Sequence, residues 1–148
     1  MAANAYRTLL KREESYAVHA LLYVAEHPGA PAARIAEDLE LPRDFLAKVL
    51  RRLGKAGFVH NSPGRTGGVR LAVDLAALSL LDVIEAVSGP LVVDTCQTLP
   101  RCPTQKRTGT CLLNVAWLSI SLQVRDAFAG VRLDSLVADG VTTSSAPA

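Results

Sequence analysis

The sequence predicts a mainly α protein: a winged helix-turn-helix with a two-stranded β-wing, followed by a long C-terminal dimerisation helix. Three observations carry this prediction. Apolar residues recur at helical spacing in successive short segments, strand-like segments interrupt them once, and a later long segment is apolar on most of its surface. The order helix, helix, short turn, helix, two-stranded ribbon builds a winged helix-turn-helix.

The helical segments are marked by their spacing and by the residues at their ends. Apolar side chains from Val18 to Ala25 fall at positions i, i+3, i+4 and i+7. Pro42 suits the first turn of the third helix, and Gly57 ends that helix. The predicted helices are Glu13–Glu26, Ala32–Leu39, a third from about Pro42 to Ala56, and Ser79–Val87.

The wing is predicted where the period of the apolar pattern changes. Phe58–His60 and Val69–Ala72 are typical of short strands, and the turn-rich stretch Asn61–Gly68 joins them. Arg65 lies in this connection beside glycines, which permit close approach of the backbone to a ligand. An arginine at a wing tip can enter a narrow minor groove or bond phosphates.

The last long helix is predicted over Cys111–Ala129, with a short helix at Leu133–Val137. So much of the long helix is apolar that it must be buried, and a chain of 148 residues has few places to bury it. We therefore expect a partner subunit and a homodimer. The predicted organisation is a DNA-binding domain at 1–88, a cysteine-bearing sensor loop at 89–110, the dimerisation and terminal helices at 111–139, and a disordered tail at 140–148.

Positive charge is concentrated in one part of the chain. The net charge is only +2, but residues 43–70 contain seven Lys and Arg residues against a single acid. Such clustering on one helix and a wing favours binding to a polyanion, here double-stranded DNA, although a solvated helix face would give the same composition. The candidate DNA-binding residues are Arg43, Asp44, Lys48, Arg51, Arg52, Lys55 and Arg65.

Other classes of protein are disfavoured. The sequence shows no signal peptide and no stretch near the roughly 20 apolar residues of a membrane span, so we expect a soluble, cytoplasmic protein with no membrane partner. We expect no enzyme, because the three histidines are scattered and no Ser or Cys has an evident base. The glycines at 64–68 lack the strand-to-helix context of a phosphate loop.

The three cysteines are a second candidate functional site, besides the basic residues, and their spacing is Cys96-x5-Cys102-x8-Cys111. Three thiols cannot all pair within one chain, and in a reducing compartment metal ligands or redox thiols are expected. Thiolates on a loop can converge on one iron–sulfur cluster, which would order that loop. Three cysteines leave one coordination position open, and by spacing alone they can equally be three unrelated thiols.

Five motifs occur in an order that resembles the Rrf-type family of winged-helix transcription regulators, which contains iron–sulfur cluster regulators and a nitric-oxide-sensitive repressor. The resemblance runs from about Leu10 to Val137. It implies a homodimeric repressor or activator that binds a pseudo-palindromic operator, with DNA affinity set by a cluster of 2Fe–2S or 4Fe–4S type on Cys96, Cys102 and Cys111. The motifs are Tyr16–Ala25, Arg34–Ala36, Phe45–Leu53, Gly64–Leu71 and Leu80–Val87.

The chain departs from that family at the fourth ligand. Asn114 stands where the family's cluster regulator has a histidine ligand, and Ser15 about where the nitric-oxide sensor has a carboxylate from the partner's first helix. Glu14 and His19 are the nearby candidates. The second cysteine gap is also longer than usual. Ala47 replaces an acidic residue used for base discrimination, so the operator sequence cannot be carried over.

Two alternatives stay open at this point. The same fold can act without a cluster, as a regulator whose thiols form a disulfide on oxidation. The chain can also be an interaction module that binds no nucleic acid, a reading that salt-dependent DNA binding would exclude.

Overall fold

The structure, a computed structural model, describes residues 5–100 and 102–137. Within them the mainly α fold class with a two-stranded wing is confirmed. The predicted tail at 140–148 lies outside the described residues. In chain order the elements are α1 Arg12–Glu26, α2 Ala32–Asp38, α3 Arg43–Lys55, β1 Val59–Asn61, β2 Val69–Leu71, α4 Leu80–Ser88, α5 Pro103–Thr108 and α6 Leu112–Ala129, with 3-10 turns at Leu75–Ala77, Thr95–Thr98 and Leu133–Leu136.

Helix α1 lies at the centre of the core and contacts α3, α4 and the wing. The spacing predicted a buried face of Val18, Leu21, Leu22 and Ala25, but Val18 and Leu22 are only half-buried. The fully buried stripe is Ala17, Leu21 and Val24, and the facing stripes of α3 and α4 close over it. Burying a Val, Leu or Ile side chain stabilises the fold by roughly 1.5–3 kcal/mol, so this three-helix contact contributes strongly to stability. The stripes consist of Ala17, Leu21 and Val24 from α1, Leu46, Val49 and Leu53 from α3, and Val83, Ile84 and Val87 from α4.

The turn between α2 and α3 is tight. Glu40 adopts a left-handed conformation with φ 54°, and the N–H of Leu41 bonds the carbonyl oxygen of Ala36 at 2.8 Å. Leu41 is buried, so the turn is pinned to the core immediately before Pro42, the N-cap of α3. This turn fixes the direction in which α3 leaves the domain.

The wing is an antiparallel pair in which Val59 lies opposite Leu71 and Asn61 opposite Val69. Val59 and Val69 are buried, so one face of the ribbon belongs to the core. Strand β1 begins one residue later than the sequence predicts, although the N–H of Ala72 still bonds the carbonyl oxygen of Phe58 at 2.9 Å. Such shifts of a residue at an element's end are ordinary.

The C-terminal part is fastened to the start of α4. Ser79 caps α4: its hydroxyl accepts from the N–H of Asp82 at 3.2 Å, and the Asp82 carboxylate accepts from the Ser79 N–H at 2.8 Å. Leu133, which follows α6, is fully buried, and its N–H donates to the carbonyl oxygen of Leu78 at 3.0 Å. The end of α6 is thereby held against the winged domain.

The segment at 89–110 contains more structure than its sequence pattern indicates. Helix α5 lies within it, and Gly109 ends that helix in a left-handed conformation with φ 77°. Six residues are too few to show a helical period, so periodicity alone missed α5. Pro103 at the first helical position and Gly109 after the last were the available signals.

Helix α6 matches the predicted long helix, with Cys111 as its N-cap. Within the described chain, however, most of its apolar side chains are exposed, and Trp117, Val124 and Phe128 are only half-buried. The exposed ones are Leu112, Leu113, Val115, Leu118, Ile120 and Leu122. The predicted burial therefore does not occur inside one subunit, and dimerisation through α6 stays a prediction. None of the helices in residues 5–100 and 102–137 has both the length and the apolarity needed to cross a membrane.

Candidate DNA-contacting surface and cysteine site

Helix α3 carries a polar face opposite its buried stripe. The face is exposed because the helical period that turns Leu46, Val49 and Leu53 inward turns the intervening positions outward. Asp44 in the first turn and Lys55 in the last turn suit the helix dipole, whereas Arg43 at the first helical position does not. The exposed residues of this face are Arg43, Asp44, Ala47, Lys48, Arg51 and Lys55.

Arg52 differs from the other candidate residues because it lies at the edge of this face and is half-buried. Its Nη1 donates to the carbonyl oxygen of Val87, in the last turn of α4, at 2.6 Å. The contact is favourable as a hydrogen bond, and also because the free carbonyls at a helix C-terminus attract a cation. Arg52 therefore holds α3 to α4, a role that the sequence did not indicate.

Lys48 lies near an acid of α1. Its Nζ is 3.8 Å from Oε1 of Glu13, and the side chains remain 48% and 31% exposed. A pair this exposed contributes at most about 1 kcal/mol, so Lys48 can exchange Glu13 for another partner at little cost.

The wing tip places Arg65 in solvent, next to Gly64 in a left-handed conformation with φ 99°. The base of the wing is fixed to the α1–α2 connection. There the N–H of Gly29 donates to the carbonyl oxygen of Val69, and the N–H of Val69 donates to that of Ala30, each at 2.9 Å. The wing is thus held at a set position beside α3.

A groove of about 510 Å³ separates α3 from the wing. Ala47 and Arg51 line one wall, and His60 and Asn61 of β1 line the other. Sequence reasoning missed His60 and Asn61 as members of this surface, because only the paired strand brings them opposite α3. Both can donate and accept hydrogen bonds.

Each of the three cysteines begins or lies in a different element. Cys96 lies in the 3-10 turn Thr95–Thr98, and its N–H donates to the carboxylate of Asp94 at 2.7 Å. Cys102 and Cys111 are the N-caps of α5 and α6, and the Cys111 Sγ accepts from the N–H of Asn114 at 3.4 Å. All three are half-exposed and free of disulfides.

The environments of the thiols differ. The backbone N–H groups of Gln105 and Thr104 bond the sulfur of Cys102 and lower its thiol pKa, and a hydrogen bond with the Cys111 thiol adds to this. Partial burial, with the carboxylate of Asp94 close by, raises the pKa of Cys96 to about 11. The pKa values of Cys102 and Cys96 are therefore shifted in opposite directions.

The donor set suits iron and sulfide chemically, because thiolates are the ligands of iron–sulfur clusters. In the part of the chain that the structure describes, no three Cys, His, Asp or Glu side chains surround a common metal position. The thiols share one region but do not form a closed ligand set as they stand, so binding a cluster requires their side chains to turn towards one another.

The two candidates for the fourth ligand have other contacts. Glu14 is only 5% exposed, and its Oε2 accepts from the N–H of Lys11 at 2.8 Å at the start of α1. His19 is exposed, with its ring centroid 5.4 Å from that of Tyr16. The described structure does not bring either of them into a ligand group with the cysteines.

Comparison with known proteins identifies the family. A sequence model of the Rrf2 family, described as iron-dependent transcriptional regulators, matches residues 10–139. The chain belongs to the Rrf2 family. The transcriptional regulator IscR of Vibrio vulnificus is 32% identical over 127 residues, which cover 84% of this chain and 74% of that protein. A putative transcriptional regulator of Aquifex aeolicus is 29% identical over 124 residues, covering 82% and 86%.

Solved structures of Rrf2-type regulators share the fold. The T. potens IscR structure matches with a TM-score of 0.69 at 20% identity, covering 97% of this chain and 95% of that one. The structure of CymR, the global cysteine regulator of B. subtilis, matches with a TM-score of 0.67 at 22% identity, covering 88% and 96%. At these identities the likeness establishes the winged-helix architecture. The relatives in sequence are named as transcriptional regulators, not as enzymes.

Proposed function

We propose that this Rrf2-family regulator binds a pseudo-palindromic site in double-stranded DNA as a homodimer. The observation that carries the proposal is the surface made by the polar face of α3 and the wing, whose base is bonded to the α1–α2 connection. The major groove admits an α-helix, and α3 has a free face of the right charge. A wing fixed beside it can reach the backbone or the minor groove.

The candidate residues have different tasks in this proposal. Arg43, Asp44 and Lys48 lie in the first turns of α3, where a recognition helix contacts base edges. Arg51 and Lys55 lie further along and are placed for phosphates, while Arg65 reaches from the wing. Arg52 stays a proposed phosphate contact as well, since a guanidinium has five N–H donors and Val87 occupies one of its nitrogens.

The homodimer is supported by the uncovered face of α6. Monomeric proteins rarely expose contiguous apolar patches of more than a few hundred Å². A second copy of α6 can cover that face, because the same surface on two subunits is self-complementary about a two-fold axis. The two α3 helices must then meet successive major grooves, about 34 Å or a multiple of it apart.

We further propose that Cys96, Cys102 and Cys111 hold one iron–sulfur cluster per subunit, and that its state sets DNA affinity. Support comes from three thiols in one region and from the iron-dependent regulation in the family's description. When bound, the cluster supplies chemistry that responds to oxidants, nitric oxide or cluster supply. Its type, 2Fe–2S or 4Fe–4S, and its fourth ligand, with Glu14 and His19 as candidates, are for experiment to decide.

A second function has an observation in its favour. The Cys111 thiol contributes to the lowered pKa of Cys102, so the two thiols lie in one neighbourhood, and an oxidant that accepts two electrons and two protons could join them as a disulfide. Such a regulator would need no metal. Cys96 would then have no partner thiol within the same subunit.

Anaerobic purification tests both functions. We expect brown protein with an iron–sulfur absorption band, iron and sulfide in equal amounts, and a Mössbauer spectrum that assigns the cluster type. Cys96→Ser, Cys102→Ser and Cys111→Ser should each lose most of the iron, whereas Ser119→Ala should keep it. Colourless protein whose DNA binding changes on oxidation supports the disulfide. Retention of a full cluster by all three variants would overturn the ligand assignment.

DNA binding is tested separately, on duplexes selected from random sequence by the protein. Affinity should fall steeply with salt, because each phosphate contact releases counterions. A protein that selects no sequence and shows no salt dependence is an interaction module instead. Equal affinity in the cluster-loaded and metal-free forms would leave a constitutive regulator.

A further inference from the structure

Ser121 is a polar residue buried within a helix whose exposed surface is largely apolar. All residues of α6 are described, and among them Ser121 alone is buried, at 2% exposure. Its hydroxyl oxygen accepts from the N–H of Val93 at 3.0 Å and donates its own hydrogen to Oε1 of Gln97 at 2.8 Å. A buried hydroxyl with both bonds made is costly to disturb.

The two partners of Ser121 lie on either side of the first cysteine. Val93 precedes Cys96 by three residues, and Gln97 follows it directly, within the 3-10 turn that Asp94 caps. Both hydrogen bonds from this stretch end on the same oxygen. The backbone around Cys96 is therefore held to the middle of α6 by one hydroxyl group.

The next turn of α6 connects to the DNA-binding domain. Arg125, four residues after Ser121 and so on the same face, pairs with Glu85 of α4 and donates to the carbonyl oxygen of Leu91 at 3.5 Å. Two residues after Glu85, the carbonyl oxygen of Val87 accepts from Arg52 of α3 at 2.6 Å. Three sets of polar contacts, connected by short stretches of α6 and α4, thus link the cysteine segment to the recognition helix.

We infer that Ser121 is a positioning residue that fixes the Cys96 turn on α6, and that the Arg125–Glu85 and Arg52–Val87 contacts transmit a displacement of that turn to α3. The transmission half rests on the proposed function, whereas the positioning half does not. Any event that moves Cys96 must either break the Ser121 bonds or carry α6 with the turn. Packed elements respond in discrete steps, so a small displacement can reorient α3.

The positioning is tested on the metal-free protein, without DNA. Amide hydrogen exchange at Val93 should accelerate roughly fivefold in Ser121→Ala, the factor expected for one neutral hydrogen bond. Ser119→Ala is the matched control, because Ser119 is an exposed serine on the same helix. Its Val93 exchange should equal that of the wild type. Unchanged Val93 exchange in folded Ser121→Ala would overturn the positioning role.

Gln97→Ala covers the case in which Ser121→Ala fails to fold. Gln97 is only half-buried, so its truncation is milder, and it should accelerate exchange of the Cys96 amide while leaving the helix content unchanged. Unchanged exchange of the Cys96 amide in Gln97→Ala would contradict the inference. Where Ser121→Ala folds, the two substitutions should have non-additive effects on that exchange rate in a double-mutant cycle, because both remove the bond between Ser121 and Gln97. Additive effects would show that the residues act independently and would contradict the inference.

The transmission is tested by the ratio of DNA affinities between cluster-loaded and metal-free protein, on a duplex selected by the wild type. We expect a ratio of about tenfold or more for the wild type and Ser119→Ala, and less than about threefold for Ser121→Ala. A wild-type ratio in Ser121→Ala overturns the transmission. A ratio of one in the wild type itself overturns the proposed sensing together with the transmission, while the exchange at Val93 still decides the positioning.

Discussion

Gly68 at the base of the wing packs so closely on Gly29 that a Cβ at position 68 would lie 1.9 Å from the Gly29 carbonyl oxygen. No side chain fits there without moving the backbone of the α1–α2 connection. The two glycines thus set how near the wing lies to the helices, and with it the distance between Arg65 and the face of α3.

The Gly68→Ala substitution should therefore destabilise the protein. We expect a loss of about 1–3 kcal/mol in the free energy of unfolding, as for overpacking of a close-fitting site. Urea denaturation measures it. Gly130→Ala is the control, because a Cβ there meets nothing closer than 3.4 Å and the residue lies in the α-helical region. Equal unfolding midpoints for the two variants would refute the close fit.

The sequence predicted the elements better than their contacts. Helices and wing followed from period and from end signals such as Pro42 and Gly57, because those signals act over a few residues. Arg52, by contrast, was grouped with the exposed cations, since no local pattern reveals that it bonds to Val87, 35 residues away. Ser121 was missed for the same reason.

At the cysteine site, too, the sequence predicted the positions of the residues better than their contacts. Spacing alone placed Cys96 and Cys102 in the loop before α6 and Cys111 at the start of that helix, but it did not show that backbone N–H groups of Thr104 and Gln105 lower the pKa of Cys102. That effect depends on α5, which contains both residues and is too short to show a helical period. The sequence thus indicated which residues carry the chemistry, but not the contacts that set the environment of each thiol.

Substitutions at Lys48 of α3 and Arg65 of the wing should distinguish base reading from contact with a groove or with phosphates. Lys48→Ala should change the DNA sequence preference, with an effect of about 1–3 kcal/mol at the base pair it contacts. Arg65→Ala should weaken binding to all sequences more evenly and lower the slope of affinity against salt. Quantitative binding to a selected duplex and its single-base variants distinguishes them. Unchanged isotherms for both variants would place the DNA-contacting surface elsewhere.

The exposed face of α6 should govern the oligomeric state. Leu122→Glu should convert a dimer to a monomer at micromolar concentration, since it would place a charge in an apolar interface at a cost of several kcal/mol. Gln123→Glu adds the same charge at the next residue, where the helix is already polar, and should remain dimeric. Light scattering measures the molecular mass of each variant in solution. A wild-type protein that is monomeric at this concentration would disprove the α6 dimer.

The thiols should differ in their rates of alkylation in metal-free protein. Thiolate is the reactive form, so a lowered pKa speeds reaction at a given pH and a raised pKa slows it. Backbone N–H groups of Gln105 and Thr104 lower the pKa of Cys102, whereas partial burial and Asp94 raise that of Cys96 to about 11. At pH 8 only roughly one Cys96 side chain in a thousand would be thiolate.

Iodoacetamide at pH 8 should therefore modify Cys102 first and Cys96 much later, as followed by mass spectrometry of the cysteine-containing peptides. Raising the pH towards 10 should accelerate Cys96 about tenfold per unit, because its pKa lies above that range, while Cys102 should level off sooner. Asp94→Asn removes the neighbouring charge and should bring the rate of Cys96 closer to that of Cys102. Faster modification of Cys96 than of Cys102 in the wild type would contradict the assigned environments of both thiols.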